Sequence, residues 1–338
     1  PQTFAVDTTI ALDKVVGEYD TWNLAAVKDA MTKLQDGATV FDVYRTKSDI
    51  LSTCISRNID AFVDWENGAA HFDSDEFKAL LEFANSFPDT YDWENADDEE
   101  MDSAQNRMNV GKQLMSSFYV SSLEDILYQL TGYNGKVKFV GYPSEDGTSN
   151  HAFQINGSIA ISSTCADKTA AWNFMKQFLN EEYQSSYNIW SFPINQNAFD
   201  AKLKKMMTEE YQTDDNGNVM KDDNGNPIRI PKVTYYTDGS GNMTGYSTGN
   251  GGVAVMEASA DGTTVSENGE VNVYAMSQEQ ADEILGLINA TTAVYGYDES
   301  IMNIITDEAA PYFAGEKSLD DTVNMIQSRV NLYVAEQS

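Results

Sequence analysis

The sequence predicts an α/β protein folded as two lobes, and three observations carry that reading. Its 338 residues exceed the roughly 250–300 at which a single hydrophobic core stops growing. Amphipathic helical stretches alternate with short apolar runs of strand character, the mixture from which α/β lobes are built. Hydrophobic residues make up 41% of the chain and aromatic residues 11%, enough to fill real cores and far from a disordered composition.

Taken in order, the first helix is expected over Trp22–Leu34. Asn23 is its N-cap, and Leu24, Val27, Ala30, Met31 and Leu34 recur at three- and four-residue steps. Asp60 to Phe72 reads as a turn and hairpin around Asn67-Gly68. A second helix follows over Asp75–Phe87, with Asp73 and Glu76 as a capping box, Phe77, Leu80, Leu81, Ala84 and Phe87 as the buried stripe, and Pro88 as the stop. Asp89–Glu100 is an acidic, solvated loop. Gly111–Tyr119 reads as a strand, Leu123–Leu130 as a short helix, Lys136–Tyr142 as a strand, 143–150 as a loop and Gln154–Ser162 as another strand. Asp167 caps a helix whose side Ala171, Trp172, Met175, Phe178 and Leu179 should bury against a sheet.

The stretch Asp214–Asp261 changes character. Asp-Asp-Asn-Gly-Asn occurs twice, at 214–218 and 222–226, and predicts Asn-Gly hairpins joining short strands such as Lys232–Tyr236. A calcium loop fails on spacing, because Gln212 and Met220 stand five residues before the two glycines, where an EF-hand needs Asp. The C-terminal part is helical. Ser277 and Gln280 form a capping box for Gln278–Asn289, a further helix spans Ser300–Phe313 and ends at Gly315, and Ser318 with Asp321 opens the last, with Leu319, Val323, Ile326, Val330 and Tyr333 as its stripe.

Charge and motifs exclude several function classes. With 53 acidic against 21 basic residues, net −32, the surface repels phosphate backbones and disfavours anionic membranes, so nucleic acid is not expected as a partner. Beyond that, such charge keeps a protein soluble. No apolar run approaches the roughly 18–20 residues of a membrane span. No secretory signal is present either, and Pro1 opens directly into folded-looking sequence, as in a mature or trimmed chain. Cys54 and Cys165 form no C-x-x-C, and read as two buried free thiols with a disulfide as the other reading. Only His71 and His151 are available for metal or relay chemistry, and no H-E-x-x-H, G-x-S-x-G or phosphate-loop motif occurs. Carboxylate pairs carry no information among 53 acidic residues. No catalytic residue, metal ligand or cofactor is expected.

Five segments in order carry a resemblance. Phe62-Val63-Asp64-Trp65-Glu66-Asn67-Gly68 through Phe77, Val140-Gly141-Tyr142-Pro143-Ser144-Glu145-Asp146-Gly147, Ile159-Ala160-Ile161-Ser162 with the Asp167–Leu179 run, Glu308–Ser318, and Ile326–Tyr333 resemble family 1 extracellular solute-binding proteins. These are the maltose-binding-like receptors of ABC importers, and the nearest pattern is that of the lipoproteins of gut Firmicutes. The resemblance implies a periplasmic-binding-protein-like type II fold, two lobes joined by crossover strands. Pro1-Gln2-Thr3-Phe4 is similar to the end of the family's first crossover, so most of a first lobe would precede it and one lobe is incomplete here. The implied division is a crossover at 1–9, a C-terminal lobe from 10–142 and 276–338, a second crossover at 143–153, and the rest of the other lobe at 154–272, with an insertion at 213–261.

The resemblance further implies noncovalent capture of a mono- or oligosaccharide, permease subunits as partners, a monomer, and a lipid-anchored place on the outer face of the membrane. A surface interaction protein on the same fold and a glycan hydrolase remain the alternatives. Sugar sites use stacked aromatic faces and planar polar groups, which makes Tyr119, Phe118, Arg57, Asn58, Asn150 and His151 the candidate ligand-binding residues. Trp22, Trp65 and Trp172 fall on structural motifs and are expected in cores, while Trp93, in the acidic loop, fits either role.

Overall fold

The computed structural model describes residues 4–96, 102–133, 137–144, 151–155, 157–186, 189, 191–237, 243–248, 253–255 and 270–337. The chain forms two compact units, one from Pro1–Ala5, Val120–Gly135 and Ile155–Ile288, the other from Val6–Tyr119, Lys136–Gln154 and Asn289–Ser338.

In the second unit a five-stranded sheet carries the strand Phe4–Leu12 near its centre, beside Ala152–Ile155 and Met115–Val120, with Ala293–Val294 beyond Ala152–Ile155. Val137–Phe139 pairs antiparallel with the far end of the long strand, Ile10 facing Phe139. Helices pack around a core that includes Val27, Leu51, Ile55, Phe62, Phe77, Leu81, Ile305, Ile326 and Val330. The rings of Phe62, Phe72 and Phe77 form a triad with centroids 4.9–5.7 Å apart, at spacings where aromatic pairs contribute beyond their buried area.

Local chemistry sets the helix ends. Asn23 accepts from the Ala26 amide, Ser318 from Asp321, and Gly315 stands at φ +74° after the helix Glu299–Phe313. The hairpin Val63–Asp64/Ala69–Ala70 turns at Gly68, φ +65°. The last helix, Leu319–Gln337, clamps it: Gln327 accepts from the Phe72 amide at 2.6 Å and donates to the Ala70 carbonyl at 2.7 Å, while Asn331 accepts from the Ala70 amide. Two of the five resembling segments are therefore joined by hydrogen bonds and identify architecture.

The first unit holds a four-stranded antiparallel sheet, Val253–Val255, Met243–Thr248, Val233–Thr237 and Glu270–Val273 in that order. The Tyr235 hydroxyl reaches the Leu127 carbonyl of the helix Leu123–Gly132. The Asn-Gly turns form as expected: the Asp214 and Asp222 amides donate to Asn218 and Asn226, with Gly217 and Gly225 at φ +80° and +84°. Ser277 and Gln280 make the reciprocal capping box.

Several expectations need correction. The helix Asp75–Ala84 is capped by Ser74, which accepts from the Phe77 amide, while Glu76 turns instead to Asn58. The strand expected over 111–119 is Met115–Val120, and that expected over 154–162 is Ala152–Ile155, after which residues 157–162 hold no regular structure. Val120–Gly135 belongs with the first unit, where Ser121 accepts from the Phe192 amide and Glu124 pairs with Lys202, and Met276 donates to Met206 there. The segment Lys136–Gln154 lies wholly in the second unit, so the chain crosses at 154/155. The Trp172 helix does not fully bury its stripe: Trp172 and Leu179 are 50% and 42% exposed, and Ala171, Met175 and Phe178 are only half-buried. Trp65 is exposed as well, and only Trp22 of the three packs against a core. Cys54 is buried and Cys165 half-buried, both as free thiols.

Candidate functional site

The site is built on the strand Phe4–Leu12, an apolar run interrupted by Asp7. Asp7 is 4% exposed, and a carboxylate so placed requires a cation or several donors. It has both. Arg57 Nη2 lies 2.7 Å from Asp7 Oδ2, Gln154 Nε2 donates to the same oxygen at 3.0 Å, and the Tyr142 hydroxyl donates to Oδ1 at 2.8 Å.

Arg57 follows the helix Lys47–Ser56 as its C-cap. Its guanidinium lies 5.0 Å from the ring centroid of Tyr142 and 5.0 Å from that of Tyr295, and Nη1 donates to Ser56 Oγ. Tyr295 is held by backbone: its amide donates to Phe153, and the next amide, Gly296, donates to Ser56. A Cβ on Gly296 would collide with the Ile59 side chain, so glycine is what lets this segment approach the helix. Burial and then the Asp7 charge push the Tyr142 phenol well up, and Arg57 is raised despite its own desolvation by Tyr142 and Asp7. The phenol stays a neutral donor and the guanidinium stays charged.

His151 sits beside the neighbouring residue of the same strand, Nδ1 2.6 Å from Thr8 Oγ1. Alternation along a strand sends Asp7 and Thr8 to opposite faces, so Arg57 and His151 approach different sides of it. His151 is 3% exposed, and burial lowers its pKa to about 4, leaving it neutral. Thr9 donates to the Gly141 carbonyl, tying the segment that carries Tyr142 to the strand.

The remaining candidates separate. Phe118 stacks on Phe139 at 6.4 Å, and the next residue, Tyr119, is 38% exposed. Asn58 is spent on Glu76, and Asn150 lies outside the described residues. Sequence reasoning missed Asp7, Tyr142, Gln154 and Tyr295. The available signal was Asp7, a lone carboxylate in a strand otherwise made of apolar residues and threonines.

A second cluster lies in the same unit, around the tryptophan that the sequence left open to either role. Trp93 is 62% exposed, its ring stacks on Tyr44 at 5.6 Å and 26°, and Tyr91 meets it at 5.0 Å and 82°. Among the described residues, no group of three or more His, Cys, Asp or Glu is placed to hold a metal ion, and no helix is long and apolar enough to cross a membrane.

No protein-family model and no curated protein sequence matches the chain. Solved structures do. A cyclic alpha-maltosyl-1,6-maltose binding protein from Arthrobacter globiformis superposes with a TM-score of 0.52 at 11% identity, over 99% of this chain and 71% of its own. The sugar-binding protein MalE of Xanthomonas citri gives 0.52 at 12% identity, over 99% of this chain and 70% of its own. Identities this low speak for architecture alone, and two α/β units with the strand Phe4–Leu12 running from one into the other agree with it: the chain has the periplasmic-binding-protein-like fold of solute-binding proteins.

Proposed function

We propose that this protein is the extracytoplasmic receptor of an ABC importer and captures a carbohydrate noncovalently for a membrane permease. The observation that carries the reading is the match of 99% of the chain to two sugar-binding proteins of this fold. The ordered sequence motifs support the importer and its lipid-anchored, outward-facing location, and the protein acts as a monomer. It is a binding protein and not an enzyme, a reading supported by the binding proteins among the solved structures it resembles. Tyr119, half exposed at the end of its strand, is the proposed ligand-facing residue of the six candidates, with Arg57 acting behind the site as a positioning residue.

An incomplete lobe belongs to the same reading. Trp172, Phe174, Leu179, Ile155 and Ile159 are all between 42% and 66% exposed in the first unit. A further stretch of that lobe covering these side chains accounts for them, and for the 70–71% coverage of the longer relatives.

The test is a thermal-shift screen of the full-length natural protein against mono- and oligosaccharides, followed by calorimetry on any hit. A saccharide that raises the melting temperature and binds with unit stoichiometry is expected, with Tyr119→Ala weakening it. Turnover of a glycoside by pure protein, or no binding across the panel, would overturn the proposal.

A further inference from the structure

We propose that Trp93, stacked on a Tyr44 ring that also lies beside the Arg45 guanidinium, is a platform for one pyranose ring of a neutral saccharide. The inference rests on the carbohydrate reading and assigns to it a face of the second unit that the sequence left undecided.

The platform is built before any ligand arrives. Trp93 opens a 3₁₀ turn, Trp93–Asn95, whose cap Asp92 accepts from the Glu94 amide at 3.1 Å and from Asn95 Nδ2 at 2.7 Å. The segment leading to it is pinned to the other half of the cluster, since the Lys47 amide donates to Pro88 and its ammonium pairs with Asp89 at 2.9 Å. On that other half, Tyr44 lies in a turn closed by the Arg45 amide donating to Asp42, just before the capping box of Thr46 and Asp49. Two backbone segments, each fixed by hydrogen bonds, therefore set the two rings in near-parallel contact at 5.6 Å.

The exposure is what calls for an occupant. Trp93 keeps 62% of its surface in solvent although Tyr44 covers part of it and Tyr91 stands at right angles. A large aromatic side chain held rigid and left open in this way loses little entropy on binding, and an apolar ring face suits the C–H face of a sugar.

Arg45 supplies the polar half. Its guanidinium lies 5.9 Å from the Tyr44 ring centroid, and its ion pair with Asp42 is loose, with Nε 3.8 Å from Oδ2. Among the described residues its Nη groups donate no hydrogen bond, and Nε is buried without one. The buried Nε is out of a ligand's reach, so it is the Nη N–H groups, planar and beside the Tyr44 ring, that can take a sugar hydroxyl. Asp42, Asp49, Asp92 and Glu94 surround these residues in sequence, which favours a neutral sugar over an anionic one.

The experiment uses the full-length protein and calorimetric titration with maltotriose, cellotriose and xylotriose. For the trisaccharide that binds best, Trp93→Ala should weaken affinity roughly tenfold or more, Arg45→Gln should weaken it as well, and Trp93→Phe should recover most of it. Trp65→Ala removes a similarly exposed tryptophan from the same unit and should leave affinity unchanged. Circular dichroism and melting temperature verify that each variant folds. Wild-type binding that survives Trp93→Ala, or that Trp65→Ala weakens equally, overturns the platform and leaves the carbohydrate reading standing. Failure of the wild-type protein to bind any saccharide, across the mono- and oligosaccharide panel as well as these three, overturns both.

Discussion

Replacing Arg57 by methionine isolates the pair at the centre of the described site. The substitution keeps a long apolar stem between Tyr142 and Tyr295 but removes the cation from a carboxylate that is 4% exposed. Breaking a buried pair from one side costs about 3–5 kcal/mol, because the surviving charge is left in a poor environment. Two features place this case at the lower end. Asp7 keeps the Tyr142 and Gln154 donors at 2.8 and 3.0 Å, and the Arg57 side chain is 18% exposed, so water can follow it out. The expected loss is about 3 kcal/mol. Exchanging both partners for apolar groups, Arg57→Met with Asp7→Leu, should cost less than Arg57→Met alone, since no charge is then stranded. Urea denaturation followed by far-ultraviolet circular dichroism, with tryptophan fluorescence as a second probe, measures both variants. A single substitution costing under about 1 kcal/mol, or a double one as costly as the sum of its parts, would refute the buried-pair argument.

His151 gives a pH signature. Its folded value near 4 lies below its ordinary 6.5, so between these the unfolded chain binds more protons. The contribution is intact above about pH 6.5, drains as the pH falls, and amounts to about 3 kcal/mol lost below pH 4. Comparing wild type with His151→Gln from pH 7 to 4 should show the slope shrink; equal slopes would remove burial of the ring as its cause. The cysteines should differ sharply. Burial lifts the Cys54 thiol to about 12, so in the native protein an alkylating reagent at pH 8 should modify Cys165 first, and Cys54 only on unfolding. Mass spectrometry of a time course decides it, with early Cys54 labelling the contrary result.

What the sequence disclosed follows the distance over which each feature is determined. Asn23, the Ser277–Gln280 box, Gly315 and the Asn-Gly turns each depend on partners within four residues, and all four were readable. The one cap misplaced, Asp73 for Ser74, erred between adjacent residues that both suit the position. The periodicity of the Trp172 helix was real, yet a stripe says only which side is apolar, not what lies across from it. The site required longer reach. Asp7 and Arg57 are 50 residues apart, Asp7 and Gln154 147, and Gln327 clamps a hairpin 257 residues away. Arg57, a candidate ligand-binding residue by sequence, pairs with a carboxylate fifty residues away, a partner no local pattern specifies. The more informative residue was Asp7, because burying an anion without a cation is so costly that its presence in a strand implies a partner somewhere in the chain.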